Sequence, residues 1–271
     1  MPKAPYILGG RTSTEGARLR SPGREPRGVK LGIVSDIHCG PDADTRLGSR
    51  SPTLLEAFGE AMQAFRPDCI IDLGDRINDV ARAQDRQRTA WVRKTLAALG
   101  VPVYHVLGNH DVANLSKADL ADLLSKRGSY ETVNQNGLGL VLLDSQDPPF
   151  ERIGGTVGSG QREWLHPLDE QRLDGHWYFA AHPAHAYARG REAVRWAIER
   201  SGRVLAVFSG HIHWTRVTTI GGIPYVTLGS LVDGGFTHGR PCGTFAAVTV
   251  RQRAIDVEVA GLLPERFHLM R

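Results

Sequence analysis

Acidic, amide and imidazole side chains follow five apolar segments of this sequence, each directly after the segment ends. The candidate ligands are Asp36, His38, Asp75, Asn109, His182, His211 and His213. Mixed carboxylate, amide-oxygen and imidazole sets suit borderline divalent metals such as Mn, Fe or Zn. One four-coordinate ion cannot use seven ligands, but two ions that share a bridging carboxylate can. Metal pairs roughly 3.5–4 Å apart serve in-line displacement at phosphorus.

The spacing within the motifs supports a shared pocket. Asp36 and His38 are two positions apart, as are His211 and His213. At the end of a strand, residues i and i+2 point the same way, so each pair can direct two side chains into one site. The run Gly-Asn-His-Asp at 108–111 is the most specific motif. Any one histidine could be an ordinary core or surface residue, but all five motifs in order, each after a predicted strand, favour a metal site.

The elements that must position these residues alternate between strands and helices. Short, almost continuously apolar runs predict buried strands at 29–35, 69–74, 101–108, 138–145, 176–182 and 204–210. Helical patterns with Ser or Gly at their ends occupy 51–65, 86–100, 116–128, 161–171 and 191–202. Residues 215–230 predict a hairpin with a Gly-Gly turn, and 244–250 and 254–261 predict a second hairpin. We therefore expect a layered α/β sandwich with ligands at the carboxyl ends of its strands.

Composition narrows the class of protein. Residues 1–28 carry six basic and two acidic side chains, which accounts for the whole net charge of +4. We interpret 1–28 as a flexible basic extension and 29–271 as a single domain, whose neutral body does not favour nucleic acid. The three widely spaced cysteines, Cys39, Cys69 and Cys242, do not predict a disulfide framework. Without a long apolar run, we expect a cytoplasmic protein with no membrane segment.

The ordered motifs SDIH, GD, GNHD, HP and GHIH resemble those of the calcineurin-like metallophosphoesterases. The resemblance covers residue 29 to about residue 230, and it implies a four-layer αββα sandwich in which helices flank two mixed sheets. It further implies that Asp36, His38, Asp75 and His213 hold one metal ion. The second ion would be held by Asp75, Asn109, His182 and His211. A hydroxide that bridges the two metals would be the nucleophile, and His110 would stabilise the phosphoryl oxygens or protonate the leaving group.

The sequence departs from the family pattern at three places. In the protein Ser/Thr phosphatase branch, an Asp and an Arg occupy the third and fourth positions after the bridging Asp, whereas this chain has Asn78 and Asp79. His110 therefore lacks its usual partner, and a phosphate clamp is missing. Arg76 could replace that clamp, or could be salt-bridged or exposed to solvent. In AAHPAH we prefer His182 as the ligand, with His185 as the alternative.

Within the family, the region VPVYHVLGNHDVANL resembles manganese-dependent ADP-ribose/CDP-alcohol diphosphatases. The missing phosphatase Arg also suits class III cyclic-nucleotide phosphodiesterases. Both imply hydrolysis of a phosphodiester or phosphoanhydride in a small nucleotide-like substrate, with two Mn, Fe or Zn ions and Mn favoured. A phosphomonoesterase is the alternative, ahead of a nuclease or a non-catalytic scaffold.

Three further residues are candidates for substrate contact, each with a structural alternative. Asn114 could bind substrate or cap the following helix, and His238 and Arg240 could bind phosphate or base or simply lie in a solvated loop. We expect a small-molecule phosphoester as the partner, no nucleic acid and no membrane, and we allow for a homodimer.

Overall fold

The computed structural model describes residues 28–149, 154–165, 188–252 and 254–270. In these ranges the strands are β1 (Val29–Val34), β2 (Cys69–Asp72), β3 (Val103–His105), β4 (Glu131–Gln135), β5 (Leu138–Leu142), β6 (Gln146–Asp147), β7 (Gly155–Val157), β8 (Ala188–Arg189), β9 (Val207–Ser209), β10 (Arg216–Ile220), β11 (Ile223–Thr227), β12 (Phe245–Val250), β13 (Ala254–Ala260) and β14 (Glu265–Met270). The helices are α1 (Ser51–Phe65), α2 (Arg82–Ala97), α3 (Lys117–Leu124), α4 (Ser159–Trp164) and α5 (Arg191–Ser201).

A six-stranded mixed sheet, in the order β14-β13-β12-β1-β2-β3, organises the described chain. Strands β1, β2 and β3 are parallel, and β12, β13 and β14 extend the sheet in antiparallel fashion from β1. The three parallel strands therefore deliver their carboxyl ends to one edge. A smaller mixed sheet, β10-β11-β9, contributes the carboxyl end of β9.

Two apolar clusters separate the layers. One face of the large sheet, which includes Leu31, Ile33 and Ile71, packs with Leu228, Leu205 and Phe208 from segments around the smaller sheet. The other face packs against helices α1 and α2 through residues such as Phe58 and Leu96. Gly32 lies beneath α1, where an added Cβ would stand 2.6 Å from Cδ1 of Ile70. The side chains of β1 thus alternate between the two clusters, as expected of a strand buried on both faces.

The predicted α/β class, with mixed sheets and helices, is confirmed. The helix at 51–65 and the cap at Ser116 are also confirmed, because Ser116 forms a capping box with Asp119 at the start of α3. Both predicted hairpins form, and the Gly221-Gly222 turn has positive φ at both residues.

The predicted buried strand at 138–145 forms only in part, as β5, and two of its residues are exposed. Strand β5 forms an antiparallel hairpin with β4, which was not predicted. The turn is Asn136-Gly137, both with positive φ, which is the strongest short-range hairpin signal in a sequence. The edge strand β14 also went unpredicted, and α2 begins at Arg82 rather than at 86.

Other predictions fall outside the described residues. These include the strand at 176–182, the two alternative ligands His182 and His185, and nearly all of the extension at 1–28. The single domain at 29–271 and the cytoplasmic location stay predictions. Among the described helices, none has the length and apolar character that a bilayer crossing requires.

Candidate metal centre

Six of the seven predicted ligands lie within the described residues, and each follows the carboxyl end of a strand. Asp36 and His38 follow β1, Asp75 follows β2, Asn109 follows β3, and His211 and His213 follow β9. Asp36, His38, Asp75 and Asn109 are buried, whereas His211 and His213 are partly exposed. Polar groups at this depth are costly unless they are paired or bound to a metal ion.

Five of these ligands adopt left-handed backbone conformations. The φ angles are 50° at Asp36, 43° at His38, 52° at Asp75, 79° at His211 and 56° at His213. A non-glycine residue in this region costs about 1–3 kcal/mol and persists only where the surrounding structure enforces it. Here backbone hydrogen bonds enforce it, since His38 N donates to Asp75 O at 2.9 Å and Asp36 N donates to Gly74 O at 3.0 Å. The turns therefore redirect consecutive polar side chains towards one point.

Asp36, His38 and His213 form the first group of converging ligand atoms. His213 Nε2 lies 3.0 Å from His38 Nε2 and 3.3 Å from Asp36 Oδ1. The third side of the triangle, from His38 Nε2 to Asp36 Oδ1, is 3.8 Å. Gly210 permits this approach, because a Cβ there would stand 2.5 Å from Asp36 Oδ2. Two imidazole nitrogens and a carboxylate oxygen at these separations are a donor set that fits a divalent ion.

The electrostatics of this group call for a central cation. Burial lowers the pKa of His38 to about 3, so its imidazole is neutral and offers a lone pair. Burial would also lower the pKa of His213, but hydrogen bonds to Asp233 and Asp36 outweigh it and raise that pKa to about 10. Burial opposes ionisation of Asp36 as well, yet its hydrogen bond with His213 holds the pKa below the usual value. The carboxylates of Asp36 and Asp233 thus favour a positive charge on His213, at the place where a metal ion would supply one.

Asp233 orients His213, and sequence reasoning missed it. Its Oδ2 accepts a hydrogen bond from His213 Nδ1 at 2.8 Å and from Thr45 Oγ1 at 2.7 Å, while its Oδ1 accepts from Gly235 N at 2.7 Å. Because Nδ1 carries this hydrogen bond, Nε2 is the ring atom that faces Asp36 and His38. A carboxylate behind a ligating histidine is the common arrangement around protein metal ions.

A second group of ligand atoms adjoins the first and shares His38 with it. Ligand atoms of His38, Asp75 and His110 lie within 4.8 Å of one another. The Oδ1 of Asp75 accepts a hydrogen bond from His110 N at 2.8 Å, and its Oδ2 lies 3.8 Å from His211 Nδ1. Burial disfavours the charged carboxylate, but the imidazoles of His211, His38 and His110 around it hold the pKa of Asp75 well below its usual value. His38 is common to both groups, and Asp75 adds a buried carboxylate beside the first group.

His110 has an acidic partner that sequence reasoning did not assign to it. The Oδ1 of Asp79 contacts His110 Nδ1, and Arg46 Nη1 lies 2.8 Å from His110 Nε2. The absence of the usual Asp at position 78 therefore does not leave His110 unoriented, because the carboxylate comes from the next residue. Asn78 instead donates from Nδ2 to Pro41 O at 2.8 Å.

The prediction that Arg76 contacts substrate is wrong. Its side chain is fully buried, where the guanidinium pairs with Asp72 and with Asp111 at 2.7 Å and also donates to Val106 O at 2.5 Å. Asp111 additionally accepts hydrogen bonds from the backbone of Gly108, Asp75 and Arg76 at 2.9–3.0 Å. Arg76 and Asp111 therefore hold together the two loops that carry Asp75 and His110, and the guanidinium has no access to a ligand.

The remaining candidates lie near the surface. Asn114 is exposed and donates to Asp85 Oδ2 at 2.8 Å, while Ser116 rather than Asn114 caps α3. His238 and Arg240 are exposed on the loop that follows Asp233. Substrate contact by these three residues stays a prediction. His105, in contrast, is a core residue, with Nδ1 at 2.8 Å from Asp72 Oδ2.

Comparison with known proteins identifies the family. The family model for calcineurin-like phosphoesterases matches residues 29–215. A cAMP/cGMP dual specificity phosphodiesterase of Mycobacterium tuberculosis is 30% identical over 193 residues, which span 68% of this chain and 58% of that relative's length. In three dimensions the chain is similar to a dimetal phosphatase from Danio rerio, with a TM-score of 0.71, 18% identity, and coverage of 90% of this chain and 99% of that one. The chain belongs to the calcineurin-like phosphoesterase family.

Proposed function

We propose that the protein is a metal-dependent phosphodiesterase that hydrolyses a phosphodiester or phosphoanhydride bond in a small nucleotide-like substrate. One observation carries this proposal: ligand atoms of Asp36, His38, Asp75, His110 and His213 converge in two adjoining groups at the carboxyl ends of the strands. Such a cluster suits an anionic phosphoester, because divalent cations at its centre would attract and polarise the phosphoryl oxygens.

The proposed ligand sets are those that the family motifs imply, and the first set contains the group of Asp36, His38 and His213. Asp36, His38, Asp75 and His213 would hold one ion, and Asp75, Asn109, His211 and His182 would hold the other. We propose Mn, with Fe or Zn as alternatives, since the mixture of carboxylate, amide and imidazole donors suits all three. When bound, such ions supply Lewis acidity and lower the pKa of coordinated water.

His110 is the proposed proton-transfer residue. Asp79 occupies Nδ1, so Nε2 is the ring atom that can meet the phosphoryl group or the leaving oxygen. The backbone N–H of His110 also donates to Asp75, which fixes the residue to the metal-binding carboxylate. Asp79 fixes the orientation of the ring, so a proton carried on Nε2 would point towards the leaving oxygen.

The preference for diesters is supported by the mycobacterial relative, whose description names cyclic nucleotides as its substrates. We propose cyclic nucleotides as the first substrates to test, followed by ADP-ribose and CDP-alcohols. Arg76, which could have replaced the missing phosphatase Arg, is enclosed by carboxylates and does not act as a phosphate clamp.

The test compares hydrolysis of bis(p-nitrophenyl) phosphate and p-nitrophenyl phosphate by the Mn-loaded protein. We expect faster turnover of the diester, and we expect Asp75→Asn to lose both activity and bound metal. The matched control is Asp256→Asn, which changes an exposed carboxylate on β13. Absence of diester hydrolysis by folded wild-type protein with Mn, Fe or Zn would refute the proposal.

A further inference from the structure

Arg46 brings a partly exposed guanidinium to His110, beside the candidate ligands. Its Nη1 lies 2.8 Å from Nε2 of His110 and 3.4 Å from Nδ1, the ring atom that also contacts Asp79. The ring of His110 in turn stacks edge-on against His38, with 4.8 Å between centroids. Sequence reasoning did not identify Arg46, because a lone Arg in the loop after a strand carries no recognisable signal.

The backbone around Arg46 is held in place from two sides. Arg46 and Ala43 exchange two backbone hydrogen bonds of 2.9 Å, and Arg46 also forms an isolated antiparallel bridge with Asp233. Leu47 N donates to Val232 O at 3.1 Å, and Thr45 O accepts from Gly234 N at 2.8 Å. The loop of Arg46 is therefore tied to the loop whose Asp233 orients His213. This arrangement fixes the start of the Arg46 side chain relative to the ligand groups.

The guanidinium of Arg46 has donor capacity to spare, in contrast to that of Arg76. Arg76 is fully buried, and its guanidinium is held by two buried carboxylates and a carbonyl. Arg46 faces an imidazole, and its Nη2 lies 3.5 Å from the carboxylate of Asp44, which is 89% exposed. A guanidinium has five N–H donors in a planar fork and no acceptor, so an imidazole and one distant exposed carboxylate leave most of that capacity for an anion.

We infer that Arg46 binds a non-bridging phosphoryl oxygen of the substrate and thereby supplies the phosphate clamp that Arg76 cannot provide. The inference rests on the proposed function, since it names the part of the substrate that this face of the site receives. A guanidinium and a phosphate match in charge and in paired geometry, so the anion is a better partner for Arg46 than the ring nitrogen of His110. If the Arg46 side chain exchanged its contact with His110 for one with the phosphate, Nε2 of His110 would be left facing the leaving oxygen.

The test measures binding of inorganic phosphate to Mn-loaded protein by isothermal titration calorimetry. It also measures how strongly inorganic phosphate inhibits diester hydrolysis. We expect Arg46→Ala to weaken phosphate binding about 10- to 100-fold, as a hydrogen-bonded charge contact predicts. Arg46→Lys keeps the charge without the planar fork, so its phosphate affinity should fall between those of wild type and Arg46→Ala. Arg50→Ala, an exposed arginine of the same segment, is the matched control and should bind as wild type does.

A second comparison separates direct binding from an effect through His110. In a His110→Ala background, Arg46→Ala should still weaken phosphate binding, because the clamp contacts the anion itself. Equal phosphate binding by wild type and a metal-loaded, folded Arg46→Ala variant would overturn the inference, as would wild-type protein that binds no phosphate. If no diester is hydrolysed but Arg46→Ala still weakens phosphate binding, the proposed function fails while the role of Arg46 stands.

Discussion

The contact between Asp233 and His213 can be tested with a substitution that removes one charge and almost no volume. In wild type, Asp233 accepts three hydrogen bonds, from His213 Nδ1, Thr45 Oγ1 and Gly235 N. An amide at this position has only one acceptor oxygen. In one orientation of Asp233→Asn its NH₂ group opposes Gly235 N–H, and in the other it faces His213 Nδ1. The second orientation favours the tautomer with hydrogen on Nε2, which removes the lone pair that faces Asp36 and His38.

The expected effect is a loss of metal affinity. Removal of such an orienting carboxylate typically weakens metal binding about 10- to 100-fold. At about 1.4 kcal/mol for each factor of ten, this corresponds to about 1.4–2.8 kcal/mol of binding free energy. Loss of the negative charge beside the cation acts in the same direction.

The assay is titration of metal-free protein with Mn in competition with a fluorescent chelator, supported by thermal unfolding in EDTA. The matched control is Asp256→Asn, which alters a similar histidine–carboxylate pair on the exposed surface, where Asp256 Oδ1 lies 2.6 Å from His268 Nδ1. We expect that control to bind Mn as wild type does. A folded Asp233→Asn variant with unchanged Mn affinity would refute the orienting role.

Three further predictions address folding and catalysis. Arg76→Met should lower the free energy of unfolding in urea by about 3–5 kcal/mol, because two buried carboxylates lose their cation, whereas Arg82→Ala at an exposed ion pair should change it little. His110→Gln should reduce kcat for the diester about 10²- to 10⁴-fold while metal content, measured by mass spectrometry, is unchanged. Gly32→Ala should destabilise the protein by about 1–3 kcal/mol through overpacking beneath α1, in contrast to Gly139→Ala, where an added Cβ meets no atom within 4 Å.

Each of these predictions has an outcome that contradicts it. Equal unfolding free energies for the variants at 76 and 82 would mean that the buried network does not stabilise the fold. Loss of metal from the variant at 110 would make His110 a ligand rather than a proton-transfer residue. Similar stability of the two alanine variants at 32 and 139 would mean that α1 shifts to accommodate the added methyl group.

The positions of the candidate ligands followed from local patterns. Apolar runs predicted β1, β2, β3 and β9, and the polar residues after them predicted that Asp36, His38, Asp75 and His213 would meet. This inference works because side chains at the carboxyl ends of parallel strands share one edge of a sheet. The Asn136-Gly137 dipeptide is an equally local hairpin signal, but β4 on its other side was not predicted as a strand.

Residues that support the ligands could not be found in the same way. Asp233, Asp79 and Arg46 lie in loops without periodicity, and each looks like an ordinary charged surface residue in sequence. Arg76 was misassigned because its place next to Asp75 says nothing about side-chain direction. Its guanidinium turns into the interior to pair with Asp111, which is 35 positions away.

The sequence by itself determined the α/β class, the succession of the main strands along the chain and the residue types that gather at their ends. It could do so because apolar periodicity and short motifs are local properties. Only the tertiary structure decided which charged groups support those residues: Asp233 behind His213, Asp79 and Arg46 against the His110 ring, and Arg76 in the core. These partners come together through the docking of one loop on another. That docking depends on backbone hydrogen bonds and packing between segments distant in sequence, which no local pattern records.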